Sequence, residues 1–459
     1  MNWSRERSLS QNLSFWQHKY GEYQAQSPLP DGEFRVDVLI VGGGFTGLTT
    51  ARELKRDNPE LSVMVLEGRE IGFGASGRNG GFNMTLFGME PEVTHAVWGK
   101  EKTQEAQRYM KRAVNYVKDL IEQEGLDSDY EHTGMWRVAY SRSQEKRLRK
   151  TYQLLSGLMG EDDYQFLEYD QLQERLNAPA ARCAIVEPGT GILDPCKHVR
   201  ELKRLAMEAG VIIHENTEVT GLEKFSDELR VDTTQARVFA NKVVLAVNAW
   251  AHTFNGDRTL RKKQRPVWTY QVVTDPLTEQ EWKELRWDGR MSIEDNRHLV
   301  HYMRITKCGR ITMGGGSINS DPGTRMDSWQ CPKTWKALEA HLRWLFPTLK
   351  HKKIHYQWGG AVSVNMDMTP EISFIGDQRI IHASGCIGHG VSLTQLNGRL
   401  IADLVQDKQT DLTDFWIVNR RALPMPPGNL LAYWGGRMAD SVFSAMDWWQ
   451  ERELNKPIS

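Results

Sequence analysis

The chain lacks any pairing pattern among its cysteines. There are five, Cys183, Cys196, Cys308, Cys331 and Cys386, an odd number with no C-x-x-C. That argues against a disulfide framework or a zinc ribbon. Reduced thiols in a cytoplasm fit best. Net charge is lacking too: 58 Lys and Arg against 59 Asp and Glu leave −1 with histidine neutral. No long-range field draws the chain to nucleic acid or to an anionic membrane. The short basic run Arg261-Lys262-Lys263-Gln264-Arg265 reads as a solvated loop. No apolar run approaches the roughly 20 residues of a membrane span. Residues 1–31 hold no apolar h-region, so no secretory signal is expected. No internal repeat, metal-ligand cluster or Ser/His/Asp arrangement stands out, and no metal site is expected.

What is present is a soluble globular composition, 40% hydrophobic and 25% charged over 459 residues, long enough for two or three domains. One stretch carries most of the information. A strand, Val36-Asp37-Val38-Leu39-Ile40-Val41, runs into Gly42-Gly43-Gly44-Phe45-Thr46-Gly47, which fits G-x-G-x-x-G on Gly42, Gly44 and Gly47. A helix with Leu48, Ala51 and Leu54 on one side follows, then a second strand, Val63-Met64-Val65-Leu66, closed by Glu67. Gly42 allows the tight turn, Gly44 lets the backbone approach a pyrophosphate, and Gly47 lets helix and strand pack closely. The helix N-terminus offers free N–H groups and partial positive charge to the phosphates. Glu67 stands about 20 residues past the turn, where an acid accepts ribose hydroxyls. The order of these parts points to a dinucleotide.

Two further glycine motifs extend the pattern. Gly72-Phe73-Gly74-Ala75-Ser76-Gly77-Arg78-Asn79-Gly80-Gly81 follows Glu67 directly. Such a loop lets something flat and large lie against the backbone. Near the C-terminus, Ser384-Gly385-Cys386-Ile387-Gly388-His389-Gly390-Val391 precedes a helix through Val405. This second helix N-terminus can stabilise negative charge at the far end of an extended cofactor, as a reduced flavin requires.

Elsewhere, residues 1–30 read as an N-terminal arm with Phe15-Trp16 and a Ser-Pro-Leu-Pro linker. Residues 90–177 read as mostly helical, interrupted by a strand around Gly134-Met135-Trp136-Arg137-Val138-Ala139-Tyr140. A buried-type strand is expected over 243–250. Strands are expected over 267–274, 299–305 and 310–314, and an amphipathic helix over 328–346. The tail from Leu423 begins with Pro424, Pro426 and Pro427 and ends in a helix containing Trp448 and Trp449. It is expected to pack on the body rather than on a membrane.

These motifs together resemble the D-amino-acid oxidase and glycine oxidase-type flavoproteins. The pre-motif Ser14-Phe15-Trp16 and the proline-rich tail resemble, within that family, the subgroup acting on gamma-glutamylated amines. The resemblance covers nearly the whole chain. It implies an α/β fold with a discontinuous Rossmann-like FAD-binding domain (residues 31–95, 178–255 and 358–410). It also implies a substrate domain with a mixed or antiparallel sheet (96–177 and 256–357), and a tail, 411–459. By the family pattern, Gly42, Gly43, Gly44, Phe45, Thr46 and Gly47 face the pyrophosphate. Glu67, with Gly68 and Arg69, holds the adenosine ribose. Gly74, Ala75, Ser76, Arg78, Asn79, Gly80 and Gly81 run along the flavin. Val219 meets the adenine region, Asn248, Ala249 and Trp250 close over the cofactor, and Gly388, His389, Gly390 and Val391 cap the pyrimidine side. Some relatives attach flavin to a cysteine or a histidine. Trp358-Gly359-Gly360-Ala361-Val362 offers no cysteine and Arg78-Asn79 no histidine, so non-covalent FAD is expected.

The implied reaction removes hydride from a carbon bearing a neutral amine, and water hydrolyses the resulting imine. The amine is primary or secondary, of gamma-glutamylated, N-methyl amino-acid or aminophosphonate type. O2 is the expected acceptor and H2O2 the product. The alternatives are a dehydrogenase feeding a quinone or carrier protein, and a non-catalytic flavin subunit of an electron-transfer complex. Alternation puts Val300, Tyr302 and Arg304 on one strand face and His301 and Met303 on the other. Tyr302 is then a candidate for orienting the amine, and Arg304 for pairing a carboxylate or phosphonate or for a structural ion pair. Trp358 is a candidate pocket wall or core residue. His389 is a candidate for tuning charge beside the flavin.

Overall fold

The computed structural model describes residues 12–254, 259–323, 325–425 and 429–451. The expected Pro426-Pro427 pair and both ends of the chain lie outside them.

Two large sheets organise the chain. The first has the strand order Glu371–Phe374, Ile380–Ser384, Ala236–Leu245, Gly32–Val41, Val63–Leu66 and Ile212–His214, with a hairpin of Val219–Lys224 and Leu229–Thr233 on Ala236–Leu245. Its centre is parallel: Val41 pairs with both Leu245 and Leu66 in register. Val38 to Val41 and Val63 to Val65 are buried on both faces, the pattern of a parallel sheet covered on both sides. Helix Phe45–Asp57 supplies one covering layer and crosses helix Gly390–Val405 so closely that a Cβ at Gly398 would lie 2.7 Å from Thr49. Helix Pro195–Glu208 joins them. Its N-cap Asp194 accepts from the amides of Cys196 and Lys197, with proline at N1.

The second sheet runs Ile354–Val364, Arg265–Thr274, Ile311–Gly315, His301–Ile305, Ser292–Asp295, Met135–Ala139, Cys183–Glu187 and Gln165–Leu167. It is antiparallel except where Ser292–Asp295 meets Met135–Ala139. One face carries Trp136, Val138, Ile293, Met303 and Met313 in an apolar core with helix Pro332–Leu345. The other face turns to the glycine loops.

The segment boundaries read from sequence need correction. Cys183–Glu187, assigned to the FAD-binding segment 178–255, is a strand of the second sheet. The boundary at 357/358 cuts through the single strand Ile354–Val364. A short, wholly buried strand reads the same in either sheet, so periodicity could not assign it. The strand expected to reach residue 250 ends at Leu245 and gives way to a 3-10 turn, Asn248–His252. The long helix begins at Pro91 and is broken at Gly99, whose φ of 80° is left-handed. In helix Asn429–Glu451, Trp448 and Trp449 face outward, 55% and 65% exposed. The helix is held instead by polar groups. The Asp447 carboxylate accepts from the amides of His298 and Leu299, both at 2.9 Å, and Asp440 accepts from the Ile318 amide.

Candidate cofactor and active site

The first glycine turn is dictated by close approach. Gly42 has φ 112°, and a Cβ there would lie 2.5 Å from the Ala246 carbonyl oxygen. A Cβ at Gly47 would lie 2.0 Å from the Gly42 oxygen. The N-cap residue, Gly44, has no side chain to cap the helix that starts at Phe45, which leaves the first-turn amide of Thr46, beside the cavity, without a side-chain acceptor from the cap. The Phe45 amide donates to Ser76 Oγ (3.0 Å), which ties the first turn to the second loop. Glu67 Oε2 accepts from the Gly43 amide (2.7 Å) and Oε1 from the Arg69 amide (3.0 Å). These bonds aim the carboxylate at the cavity while burial pushes its pKa up.

The second loop is braced from both sides. Ser14, the N-cap of helix Phe15–Tyr20, donates to the Gly77 carbonyl at 2.8 Å. Arg78 is 3% exposed and lies between the rings of Phe73 and Trp329, donating to the carbonyls of Phe73 and Gly359. Its own carbonyl accepts from Gln271 Nε2 and Trp358 Nε1, both at 2.9 Å. Asn79 turns inward, where its Oδ1 accepts from the Gly81 amide.

A continuous cavity of about 520 Å3 links these parts. It runs from Glu67, Gly68, Arg69 and Val219, past Gly42, Gly44, Phe45 and Thr46, along Gly74, Ala75, Ser76 and Asn79. It continues under Asn248 and Trp250 to Gly388, Gly390 and Val391. Seventeen of the expected cofactor residues therefore border one space. Gly43, Gly47, Arg78, Gly80, Gly81, Ala249 and His389 do not border it. The first two shape the turn and the next three shape the loop. Ala249 is buried beneath. His389 is the N-cap residue of helix Gly390–Val405, whose amides no side chain caps. An elongated cavity with an uncapped helix N-terminus along it and another at its far end fits a dinucleotide whose ring system becomes anionic. Residues outside the sequence motifs also line it, Thr217, Thr220, Met326, Trp329, Thr394 and Asn397, together with Val362, Ser384 and Cys386, which the motifs contain but to which no cofactor role was given. Burial pushes the Cys386 thiol up, which keeps it protonated.

The sheet wall changes the reading of two candidates. Arg304 is buried, and its fork is committed to the protein: Nε donates to the Gly80 carbonyl and Nη2 to the Leu193 carbonyl, both at 2.6 Å, over the Trp16 ring. Two of its five N–H donors are thus taken by backbone carbonyls, so Arg304 braces the second loop, and its remaining donors leave it a candidate for an anionic group. Trp358 is 3% exposed among Phe15, Trp16, Cys196, Val273 and Tyr356. It is a core residue, not a pocket wall. Tyr302 stays a candidate. Its ring crosses Gly314, where a Cβ would lie 2.6 Å from the phenol oxygen, and meets Phe82 edge-on at 5.5 Å. Burial pushes its phenol up to about 12. His389 retains accessible surface although protein encloses it. Burial first, and Arg137 second, hold its pKa down to about 4, so the imidazole is neutral at physiological pH.

Register extends this wall. Gln271, Gly314, Tyr302, Glu294 and Arg137 are successive cross-strand partners, so they share the face toward the glycine loops. Arg137 and Glu294, which the sequence reading did not single out, lie on this face. The available signal was a charged residue inside a strand that is otherwise apolar, Met135-Trp136-Arg137-Val138-Ala139, buried throughout.

Residues 37–404 match the family described as FAD dependent oxidoreductase, DAO. The chain is 27% identical over 438 residues to the "Probable oxidoreductase OrdL" of Rhizobium meliloti, covering 93% of this chain and 94% of that one. It is 28% identical over 417 residues to the gamma-glutamylputrescine oxidoreductase of Escherichia coli, covering 90% and 92%. Among solved structures, glycine oxidase from Geobacillus kaustophilus superposes with TM-score 0.69 at 24% identity, covering 84% of this chain and 100% of that one. L-proline dehydrogenase from P. horikoshii superposes with TM-score 0.70 at 23% identity, covering 85% and 97%. With four-fifths of its length inside the family match and the cavity built as above, the chain belongs to the DAO family of FAD-dependent oxidoreductases.

Proposed function

We propose that this enzyme oxidises a primary or secondary amine at the carbon bearing nitrogen, releasing an imine that water hydrolyses. Gamma-glutamylated amines, N-methyl amino acids and aminophosphonates are the substrate types considered, and O2 is the acceptor, reduced to H2O2. The observation that carries this reading is the single cavity running from Glu67 to Gly388 beside a sheet face that presents Tyr302. Gamma-glutamylputrescine oxidoreductase and glycine oxidase, both named for amine or amino-acid substrates, are relatives over most of the chain.

Bound FAD would supply the two-electron acceptor, held non-covalently along Gly42–Gly47, Glu67 and the Gly74–Gly81 loop. The chain's own part is to bind, orient and exclude water. Tyr302, kept protonated by burial, donates or accepts a hydrogen bond and does not act as a base. His389, kept neutral, adds no charge at the helix start beside the cavity. Hydride removal from a neutral amine needs no strong base, so the wall orients rather than deprotonates. The amides of Gly390 and Val391, at an uncapped helix start, favour negative charge nearby.

The test is a yellow, flavin-bearing purified protein mixed anaerobically with a panel of amines. Bleaching of the flavin by at least one amine supports the reading, and failure with all of them rejects it. Oxygen uptake with peroxide release separates an oxidase from a dehydrogenase, which would show neither without its own acceptor.

A further inference from the structure

Arg137 and Glu294 are partners across adjacent parallel strands, and Glu294 and Tyr302 are partners across the next pair. All three side chains leave the same sheet face. The chain from Phe82 to Glu90 lies opposite. Phe82 meets Tyr302, the Thr85 hydroxyl donates to Glu187, and Glu90 Oε2 lies 3.4 Å from Arg137 Nη1. Three carboxylates, those of Glu90, Glu187 and Glu294, therefore surround one guanidinium. Glu294 is 4% exposed, and its Oε2 accepts no hydrogen bond. A buried carboxylate left this way is costly unless a proton or a cation compensates it. Glu90 keeps 38% of its side chain accessible, and Tyr302 and His389 are half-buried. The cluster therefore reaches accessible surface through Glu90.

We propose that this acidic recess receives a protonated nitrogen at the far end of the substrate, so that the enzyme prefers amines carrying a second, cationic group over amines ending in a carboxylate or a methyl. The inference rests on the amine-oxidation reading and narrows it. Arg137 is already compensated. Burial opposes its charge, but Glu90, Glu294 and Glu187 more than offset that and raise its pKa. It has no charge to spare for an anion. A second ammonium remains charged to about pH 10 and would pair with the Glu294 carboxylate once that group gives up its proton.

The neighbours give the pH sign. Burial, then Glu90, Asp295 and Glu187, push Glu294 up to about 8, and Arg137 pulls it down. Glu92 and Arg147 lie near Glu90, and Tyr164 and His389 lie near Arg137. Tyr302 beside Glu294 stays protonated. At neutral pH Glu294 therefore carries a proton, which a bound cation must displace. Cation preference rises as pH rises through about 8.

The experiment is anaerobic stopped-flow reduction of the holoenzyme by 1,4-diaminobutane, butylamine and 4-aminobutanoate at pH 7 and pH 8.5. It reads the Kd of the complex formed before reduction. The diamine is expected to bind at least about tenfold more tightly than butylamine, the worth of one charge-assisted bond, with 4-aminobutanoate weakest. The ratio should widen at pH 8.5 and fall to threefold or less (roughly) in Glu294→Gln. Binding of 4-aminobutanoate as tight as the diamine in the wild-type protein overturns the inference, whether or not the variant folds. So does a ratio unchanged in Glu294→Gln. If butylamine reduces the flavin without any diamine advantage, the inference fails and the amine reading survives. If no amine reduces it, the reading itself fails.

Discussion

Arg304 Nε and the Gly80 carbonyl are 2.6 Å apart, a bond that joins the second sheet to the second glycine loop. With Nη2 on Leu193, the guanidinium satisfies two buried acceptors. Arg304→Ala is expected to destabilise the protein by roughly 3 kcal/mol, from two carbonyls left unpaired, and to speed FAD loss on dialysis. Urea unfolding and flavin absorbance of the retentate measure both. A variant of unchanged stability that bound carboxylate substrates more weakly would put Arg304 back in the substrate site.

Gly44 and Gly47 should respond differently to the same added methyl. A Cβ at Gly44 would meet Ser76 Oγ at 2.8 Å, whereas one at Gly47 would meet backbone oxygen at 2.0 Å. Gly44→Ala is expected to lower FAD affinity on the order of tenfold, eased by Ser76→Gly, since a hydroxyl is removable. Gly47→Ala should yield colourless or insoluble protein that no second change at Ser76 improves. Flavin content per chain after desalting checks this.

Acid sensitivity should come from buried neutral histidines. Burial holds His198 and His382 down to about 4. His198 lies between Ser128 Oγ and Gln395 Oε1, and His382 contacts the Leu245 carbonyl. Their folded pKa lies below the unfolded value of about 6.5. The stability they confer is therefore full above that value and drains away as pH falls toward 4. Unfolding free energy is expected to drop by roughly 1 kcal/mol for each histidine between pH 7.5 and 5.5, and by less in His198→Asn. A flat profile over that range would refute the assignment.

Cys386 borders the cavity with its Sγ 3.7 Å from Asn248 Oδ1. A thiol held protonated is a poor nucleophile, so the flavin should not be bonded to it. Precipitation of the holoenzyme with trichloroacetic acid is expected to leave all yellow colour in the supernatant, and Cys386→Ser should keep its full flavin content. Colour retained in the wild-type pellet, but not in the variant's, would establish a covalent link.

The glycine turns and the acid around the cavity were legible because backbone chemistry writes itself locally. Gly42, Gly44 and Gly47 answer to one turn, and Glu67 closes the strand that faces it, all inside 26 residues. Alternation also gave the faces of 300–304 correctly, with Met303 in the core and Tyr302 turned to the loops. Roles within the wall were not legible. Whether Arg304 meets a ligand or a carbonyl depends on Gly80 and Leu193, each more than a hundred residues away. Arg137 and Glu294 become neighbours only through a parallel pairing between strands more than 150 residues apart. Trp448 and Trp449 read as packing residues because bulk apolar side chains normally are buried. Here Asp447 carries the attachment.

The carbonyl of Arg78 accepts from Gln271 and Trp358 at once, and Arg304 grips Gly80 two residues on. The two lobes are riveted at the very loop that lies between them. They cannot swing apart like jaws without breaking buried bonds together. Turnover should therefore be insensitive to cross-links that fix one sheet to the other across this loop.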